Sequence, residues 1–408
     1  MTTKSTALAG NASATSYKWY VLALGAFTFT LVVAIPTMSL PVLFEEIRSE
    51  LNLSLVQVGW IWGMGSFMSI VMGLVGGTLG DRFGPKNMLT VICVLVGVTG
   101  AARAFATDFF SLAATMFLLG LFLPAIPMNV HKTCALWFPG PQLGMANGVV
   151  SVGMAFGFML GSLLAATVFS PLVGGWRNLL MVYGAVAVLV GLLWYLSKPV
   201  AEDDDTAAAR KKSSLPEALS HVASIRNVWL FALATMGISG CVNGALGYLP
   251  LYLREAGWLP VTADSAAASF HAASMLAAIP IALLSDRLRV RKGILMVAAG
   301  LICTGIGLLA FVHGPLIWPA ILTAGVVRDG FMAITMTSIM EVRGVGARYA
   351  GTATGLAMAF MGIANVIAPP LGNSLARFGA SVPFLLWSGM ALTGLLVYTL
   401  IRRPAEST

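Results

Sequence analysis

The chain has 408 residues, of which 58% are hydrophobic and only 10% charged, far below the ~25% charged residues of a soluble domain. That balance excludes a soluble enzyme or binding module and leaves an integral membrane protein. The net charge of +8 would suit a nucleic acid only if it formed a basic patch on a soluble surface, whereas here it is spread over short connections between apolar segments.

The apolar runs are long and continuous. A β-barrel would show alternating segments of ~10 residues, so the pattern predicts helices that satisfy their own backbone hydrogen bonds in lipid. Residues 1–17 form a polar tail rich in Ser, Thr and Ala, without the apolar core and cleavage site of a signal peptide. Charge and turn punctuation then divides the chain into twelve spans: 18–42, 54–79, 86–106, 109–135, 143–169, 176–197, 227–252, 264–285, 292–312, 316–340, 348–375 and 380–401. Each can supply the ~20 apolar residues that cross a bilayer. The expected organisation is a tail (1–17), a first six-helix half (18–197), a linker (198–226), a second half (227–402) and a short tail (403–408). The linker carries an acidic run, Glu202 to Asp205, and a basic run, Arg210 to Lys212.

An even number of spans puts both termini on one face. Eighteen of the 24 Lys and Arg residues fall on that face. The other holds Arg48, Arg103, Arg177, Arg254 and Arg377, and Arg328 belongs to neither. The positive-inside rule therefore predicts cytoplasmic termini and a cytoplasmic linker in a bacterial-type inner membrane.

Leu51 to Gly80 contains no charged residue, and then a compact cluster follows: Gly77, Thr78, Leu79, Gly80, Asp81, Arg82, Phe83, Gly84, Pro85, Lys86. This turn resembles the signature loop between helices 2 and 3 of the major facilitator superfamily of secondary transporters. The halves repeat. Ser285, Asp286, Arg287 and the bases after them match the first loop, with Asp81 over Asp286 and Arg82 over Arg287, and Gly144 to Gly148 matches Gly351 to Gly355. The resemblance implies twelve helices in two pseudo-symmetric six-helix halves, with a substrate site near the midplane between them. It also implies a conformational gate at Asp81, Arg82 and Lys86, with Asp286 and Arg287 as the second-half counterpart. The first loop departs from the family pattern at Pro85, and the second has Ala282 and Arg289 in place of glycines.

Within the spans, Gly153, Gly157 and Gly161 form a smooth stripe for close helix packing. Arg328 and Asp329 are the sharpest site candidates. The tenth span starts near Leu316, which puts Arg328 ~18 Å deep, where an ionisable group is functional by default. An arginine there suits bidentate recognition of an anion. His271, Asn243, Tyr248 and Asn147 are further substrate-site candidates, with Tyr252, Asn129, His131, Lys132 and Ser151 behind them. No Asp or Glu lies in the first six spans, so if transport is proton-coupled the expected carrier is Asp329 or His271, or else the substrate brings its own proton. Cys93, Cys134, Cys241 and Cys303 have no ligand spacing, and neither a metal site nor a cofactor is expected. No Gly-Lys-Ser/Thr nucleotide motif is present, so the chain itself does not draw on ATP.

Gly100 to Phe105, Trp137-Phe138-Pro139 and Tyr248 to Gly257 resemble the bacterial small-anion branches of the superfamily, the cyanate and nitrate/nitrite porters. The expected function is secondary active transport of a small organic or inorganic anion by alternating access, as a symporter or uniporter, with a proton or sodium as coupling ion and a monomer as the working unit. Enzyme activity is not expected. Two alternatives stand beside this reading: a proton-coupled exporter of hydrophobic or cationic compounds, and a membrane sensor of the same shape that binds a ligand and signals through the linker.

Overall fold

A computed structural model describes residues 17–68, 70–71, 83–140, 142–198, 215–288 and 290–401. Among them, eleven helices are long and apolar enough to cross a membrane. These are α1 (Tyr17–Leu51), α3 (Pro85–Phe105), α4 (Phe109–Trp137), α5 (Gln142–Val173), α6 (Trp176–Leu196), α7 (Arg226–Glu255), α8 (Pro260–Ser285), α9 (Arg291–Leu308), α10 (Gly314–Met340), α11 (Tyr349–Phe378) and α12 (Val382–Leu400). Between α1 and α3 lies α2 (Leu55–Met64). The rest of the expected second span, with Asp81 and Arg82, lies outside the described residues, as does most of the 198–226 linker. The chain is an all-α membrane protein.

Local sequence sets the helix starts. Ser54 and Gln57 form a reciprocal capping box at α2, and Asp108 and Ser111 form one at α4, each satisfying amides that a helix start would leave orphaned. The Ser111 amide and hydroxyl hold the Asp108 carboxyl below its usual range. Gly84, with φ +74°, precedes Pro85 at the first turn of α3, an arrangement in which glycine supplies the positive φ and proline the helical one.

Two helices run past their apolar segments. α1 continues to Leu51 rather than stopping near residue 42, because Glu45, Glu46, Glu50 and Arg48 all find partners. Glu46 accepts from Ser170 Oγ (2.9 Å), Glu50 from Trp176 Nε1 (2.6 Å) and Arg177 Nε (2.8 Å), and Glu45 from Arg254 (2.9 Å). Likewise α8 begins at Pro260 and buries Asp264 completely against Arg254 (2.7 Å).

The apolar interior falls into two clusters, one built from Val21 to Trp194 and the other from Val222 to Ile401. Each is pinned by a buried tryptophan whose indole N–H has a partner: Trp194 on Thr28 Oγ1 (2.9 Å) and Trp387 on the Ala368 carbonyl (2.8 Å). The opposite faces of the outer helices expose Leu189, Leu193 and Leu196 on α6 and Leu392, Leu396 and Leu400 on α12, a lipid-facing stripe as apolar as the acyl chains around it. The glycine stripe of α5 packs on α1, as its spacing predicts: a Cβ on Gly157 would lie 2.6 Å from Ala34 Cβ, and one on Gly161 2.6 Å from the Ile35 carbonyl.

The clusters meet at the ends of the helices farthest from Tyr17, here called the distal face. Arg48 pairs with Glu255, Arg254 with Glu45, Asn373 Nδ2 donates to the Leu55 carbonyl (2.8 Å), and Trp62 Nε1 to the Asn243 carbonyl (2.9 Å). Backbone meets backbone where α2 crosses α11, since a Cβ on Gly63 would sit 2.5 Å from the Val366 carbonyl and one on Gly59 2.6 Å from Pro370 Cα. The distal face is therefore closed. Gly63→Leu is expected to lower the melting temperature in detergent and slow uptake, since overpacking of such a contact costs about 1–3 kcal/mol. Gly300→Leu, where a Cβ meets nothing within 4 Å, should leave both unchanged. Equal behaviour of the two variants would refute the contact's importance.

Candidate functional site

A cavity of about 450 Å³ opens inside the first cluster. Its walls come from α1 to α6, closed on one side by Asn243 of α7 and by Met358, Met361 and Asn365 of α11. Interruptions in the helices make the room. α4 is broken at Leu123 and Pro124 between Phe109–Phe122 and Ala125–Trp137, as expected where prolines at 124 and 127 supply no amide and crowd the preceding turn. α1 carries a π-helical stretch, Thr28–Ala34, whose last residues line the cavity.

Arg103 stands in the cavity wall. It sits in the 3-10 turn that ends α3 and is only 2% exposed. Its Nε donates to the Gly100 carbonyl (3.0 Å), and a terminal nitrogen lies 3.6 Å from Met116 Sδ. Among the described residues no carboxylate pairs with it. By its place in the sequence Arg103 belongs with the charges of the distal connections, but in the 3-10 turn that ends α3 it is buried against Met116 of α4. The available signal was an arginine among Gly and Ala with no acid within helical reach.

The expected Arg328–Asp329–His271 group does assemble, at the junction of α5, α8 and α10. α10 is broken at Val326 and Val327, between Ile317–Gly325 and Arg328–Met340. Arg328 and Asp329 thus occupy the first turn of a half-helix, the counterpart of the break in α4. Here a carboxylate is favoured by the helix dipole. Arg328 forms an ion pair with Asp329, and the Asp329 amide donates to Ser274 Oγ (3.1 Å). The guanidinium lies 5.8 Å from the Phe158 ring, which in turn lies 5.4 Å from the His271 ring. His271 is buried, and its Nε2 has no hydrogen-bond partner among the described residues. Phe158 also lines the cavity, whereas Arg328, Asp329 and His271 do not.

Asn243 does reach the cavity, with its Nδ2 donating to the Asn365 carbonyl (3.0 Å). Tyr248 does not: its hydroxyl donates to the Ala380 carbonyl (3.0 Å) and its ring packs on Phe384 and Trp387. Tyr252 packs on Phe384 in the same cluster. Asn147 bonds His131 Nδ1 (2.9 Å), away from the cavity wall, and Asn129 Nδ2 turns back to the Ala125 carbonyl (2.8 Å). Of the loop residues, Lys86 lies in the first turn of α3 and Arg287 is exposed in the last turn of the helix ending at Leu288. Asp81 and Arg82, like the side chain of Asp286, lie outside the described residues. Next to that second loop, Arg291 pairs with Glu341, and Lys292 Nζ caps α12 through the carbonyls of Thr399 (2.9 Å) and Ile401 (2.7 Å).

The model of the Major Facilitator Superfamily matches residues 22–358. The chain is 24% identical over 380 residues to a probable sulfoacetate transporter of Cupriavidus necator, covering 86% of each chain. It is 26% identical over 371 residues to a 3-(3-hydroxy-phenyl)propionate transporter of Escherichia coli, covering 88% of each. Among solved structures, a bacterial homologue of the human lysosomal transporter Spinster, in an inward-facing and occupied conformation, superposes with a TM-score of 0.78 at 14% identity, over 94% of this chain and 97% of that one.

Proposed function

Because the chain belongs to the Major Facilitator Superfamily, we propose that it is a secondary active transporter of a small anion, working by alternating access in the inner membrane as a monomer with both termini cytoplasmic. The observation that carries this reading is Arg103. A buried charge without a counter-charge costs several kcal/mol, and inside a membrane protein an ionisable group facing a cavity marks a substrate path. An anion entering the cavity supplies the missing partner, and a guanidinium offers it two parallel donors. The two relatives named for acidic compounds support the same sign of substrate.

The Arg328–Asp329 pair is the coupling element in this reading. When Asp329 takes up a proton, the pair opens and Arg328, past Phe158, is freed to take over the anion's charge from Arg103, while the distal ion pairs loosen to let the halves rock. Symport with protons follows. Asp329→Asn is expected to abolish accumulation driven by a pH gradient while leaving counterflow exchange of substrate intact, and His271→Ala is expected to reduce it. If both variants retain full gradient-driven accumulation in proteoliposomes, the coupling ion is not carried here.

The function itself is tested by uptake of labelled carboxylates and sulfonates into proteoliposomes with unlabelled competitors. Uptake blocked by excess anions and indifferent to organic cations supports the reading. Uptake of cations alone would hand the site to the exporter alternative, and saturable binding without flux to the sensor.

A further inference from the structure

Resting on the anion reading above, we infer that the substrate is a monoanion with an apolar body, an aryl or alkyl carboxylate or sulfonate whose charge sits on Arg103 and whose body fills the rest of the cavity. Among the described residues, Arg103 is the one cation in the cavity wall. Apart from it, the wall is mostly apolar, with Met38, Met116, Met128, Met154, Met358 and Met361 facing in together with Phe158. Thioethers are flexible and polarisable, adapt to irregular shapes, and make favourable contacts with aromatic rings.

Most of the polar side chains in the wall already bond the protein. Thr37 donates to the Val33 carbonyl (2.6 Å), Tyr183 is bonded to Ser39 (2.9 Å), Trp62 donates to the Asn243 carbonyl (2.9 Å), and Asn243 to the Asn365 carbonyl (3.0 Å). The Asn365 side-chain oxygen accepts from Ser239 (2.8 Å). A hydroxyl-rich acid would therefore lose its water and find few donors and acceptors in exchange, which costs free energy for each buried unsatisfied group. A dianion would leave one charge unmatched. An ion the size of nitrate would leave most of the 450 Å³ unfilled, and that volume suits a compact organic molecule.

The test uses the full-length protein in lipid nanodiscs, with empty nanodiscs subtracted. The dissociation constant is measured by titration calorimetry for straight-chain carboxylates from acetate to octanoate, for 3-phenylpropionate, benzenesulfonate, nitrate and glucarate, and for 1-octanol as the uncharged match. Each added methylene is expected to tighten binding about fourfold until the cavity is full. Octanoate should bind more tightly than 1-octanol, and Arg103→Ala should erase that preference. Met361→Asn is expected to lower the octanoate-to-acetate affinity ratio at least tenfold. Affinity that is flat along the series, or tightest for nitrate or glucarate, while still depending on Arg103, would overturn the apolar-body inference and leave the anion reading standing. No anion binding at all, or binding unaffected by Arg103→Ala, would overturn the reading beneath it.

Discussion

Arg103→Ala is expected to weaken substrate binding by about 3 kcal/mol, a loss of roughly a hundredfold or more in affinity. The size follows from the environment. A guanidinium 2% exposed, held by one carbonyl and resting against a thioether, keeps much of its charge interaction in reserve for the ligand, because low-dielectric surroundings screen little. The same variant removes an uncompensated buried charge, so the melting temperature of the ligand-free protein is expected to hold or rise. Lost binding with retained fold separates a ligand-binding arginine from a structural one, whose removal lowers both. Arg103→Lys should fall between, since an ammonium keeps the charge but not the planar fork that reaches both Gly100 and an anion. Wild-type affinity in Arg103→Ala, read by the same titration, would remove Arg103 from the site.

Arg254→Ala is expected to destabilise the protein by about 3–5 kcal/mol, the cost of leaving a buried carboxylate without its partner. Asp264 is fully buried, and among the described residues its Oδ1 is held only by Arg254 (2.7 Å), whose other arm reaches across to Glu45 (2.9 Å). One side chain therefore anchors the start of α8 and ties the end of α7 to the end of α1. The double variant Arg254→Leu with Asp264→Leu should recover most of the lost melting temperature, because two apolar groups of similar volume replace an ion pair at little cost. It should not recover transport, since the tie to Glu45 stays broken and the distal face no longer closes in the same way. Full transport by the double variant would show that closure rests on the packing of α2 against α11 and not on these charges.

Much of the fold was legible because the bilayer leaves few choices. Runs of apolar residues broken by charged turns specify helices, and α1 runs past its apolar segment because its end carries Glu45, Glu46 and Glu50, which count against a membrane segment until their partners in the fold are known. The glycine stripe on α5 was legible for a similar reason: four-residue spacing places small residues on one face whatever the neighbour turns out to be.

The candidate site was legible in its chemistry but not in its assignment. Arg328, Asp329 and His271 were picked out by depth alone, and they do come together, yet on the far side of Phe158 from the cavity and with the arginine already paired. Arg103 was misplaced because it lies near the end of a span, where an arginine is ordinarily topogenic.

By itself, then, the sequence determined the membrane-spanning helices, the duplicated halves and the short list of intramembrane charges, since hydropathy and helical periodicity are properties of neighbours along the chain. The tertiary structure alone decided which of those charges has a counter-charge and which faces empty space. That distinction depends on residues far apart in sequence, Arg103 beneath Met116, Arg254 between Glu45 and Asp264, and on helix breaks at 123–124 and 326–327 that turn the side chains toward or away from the cavity.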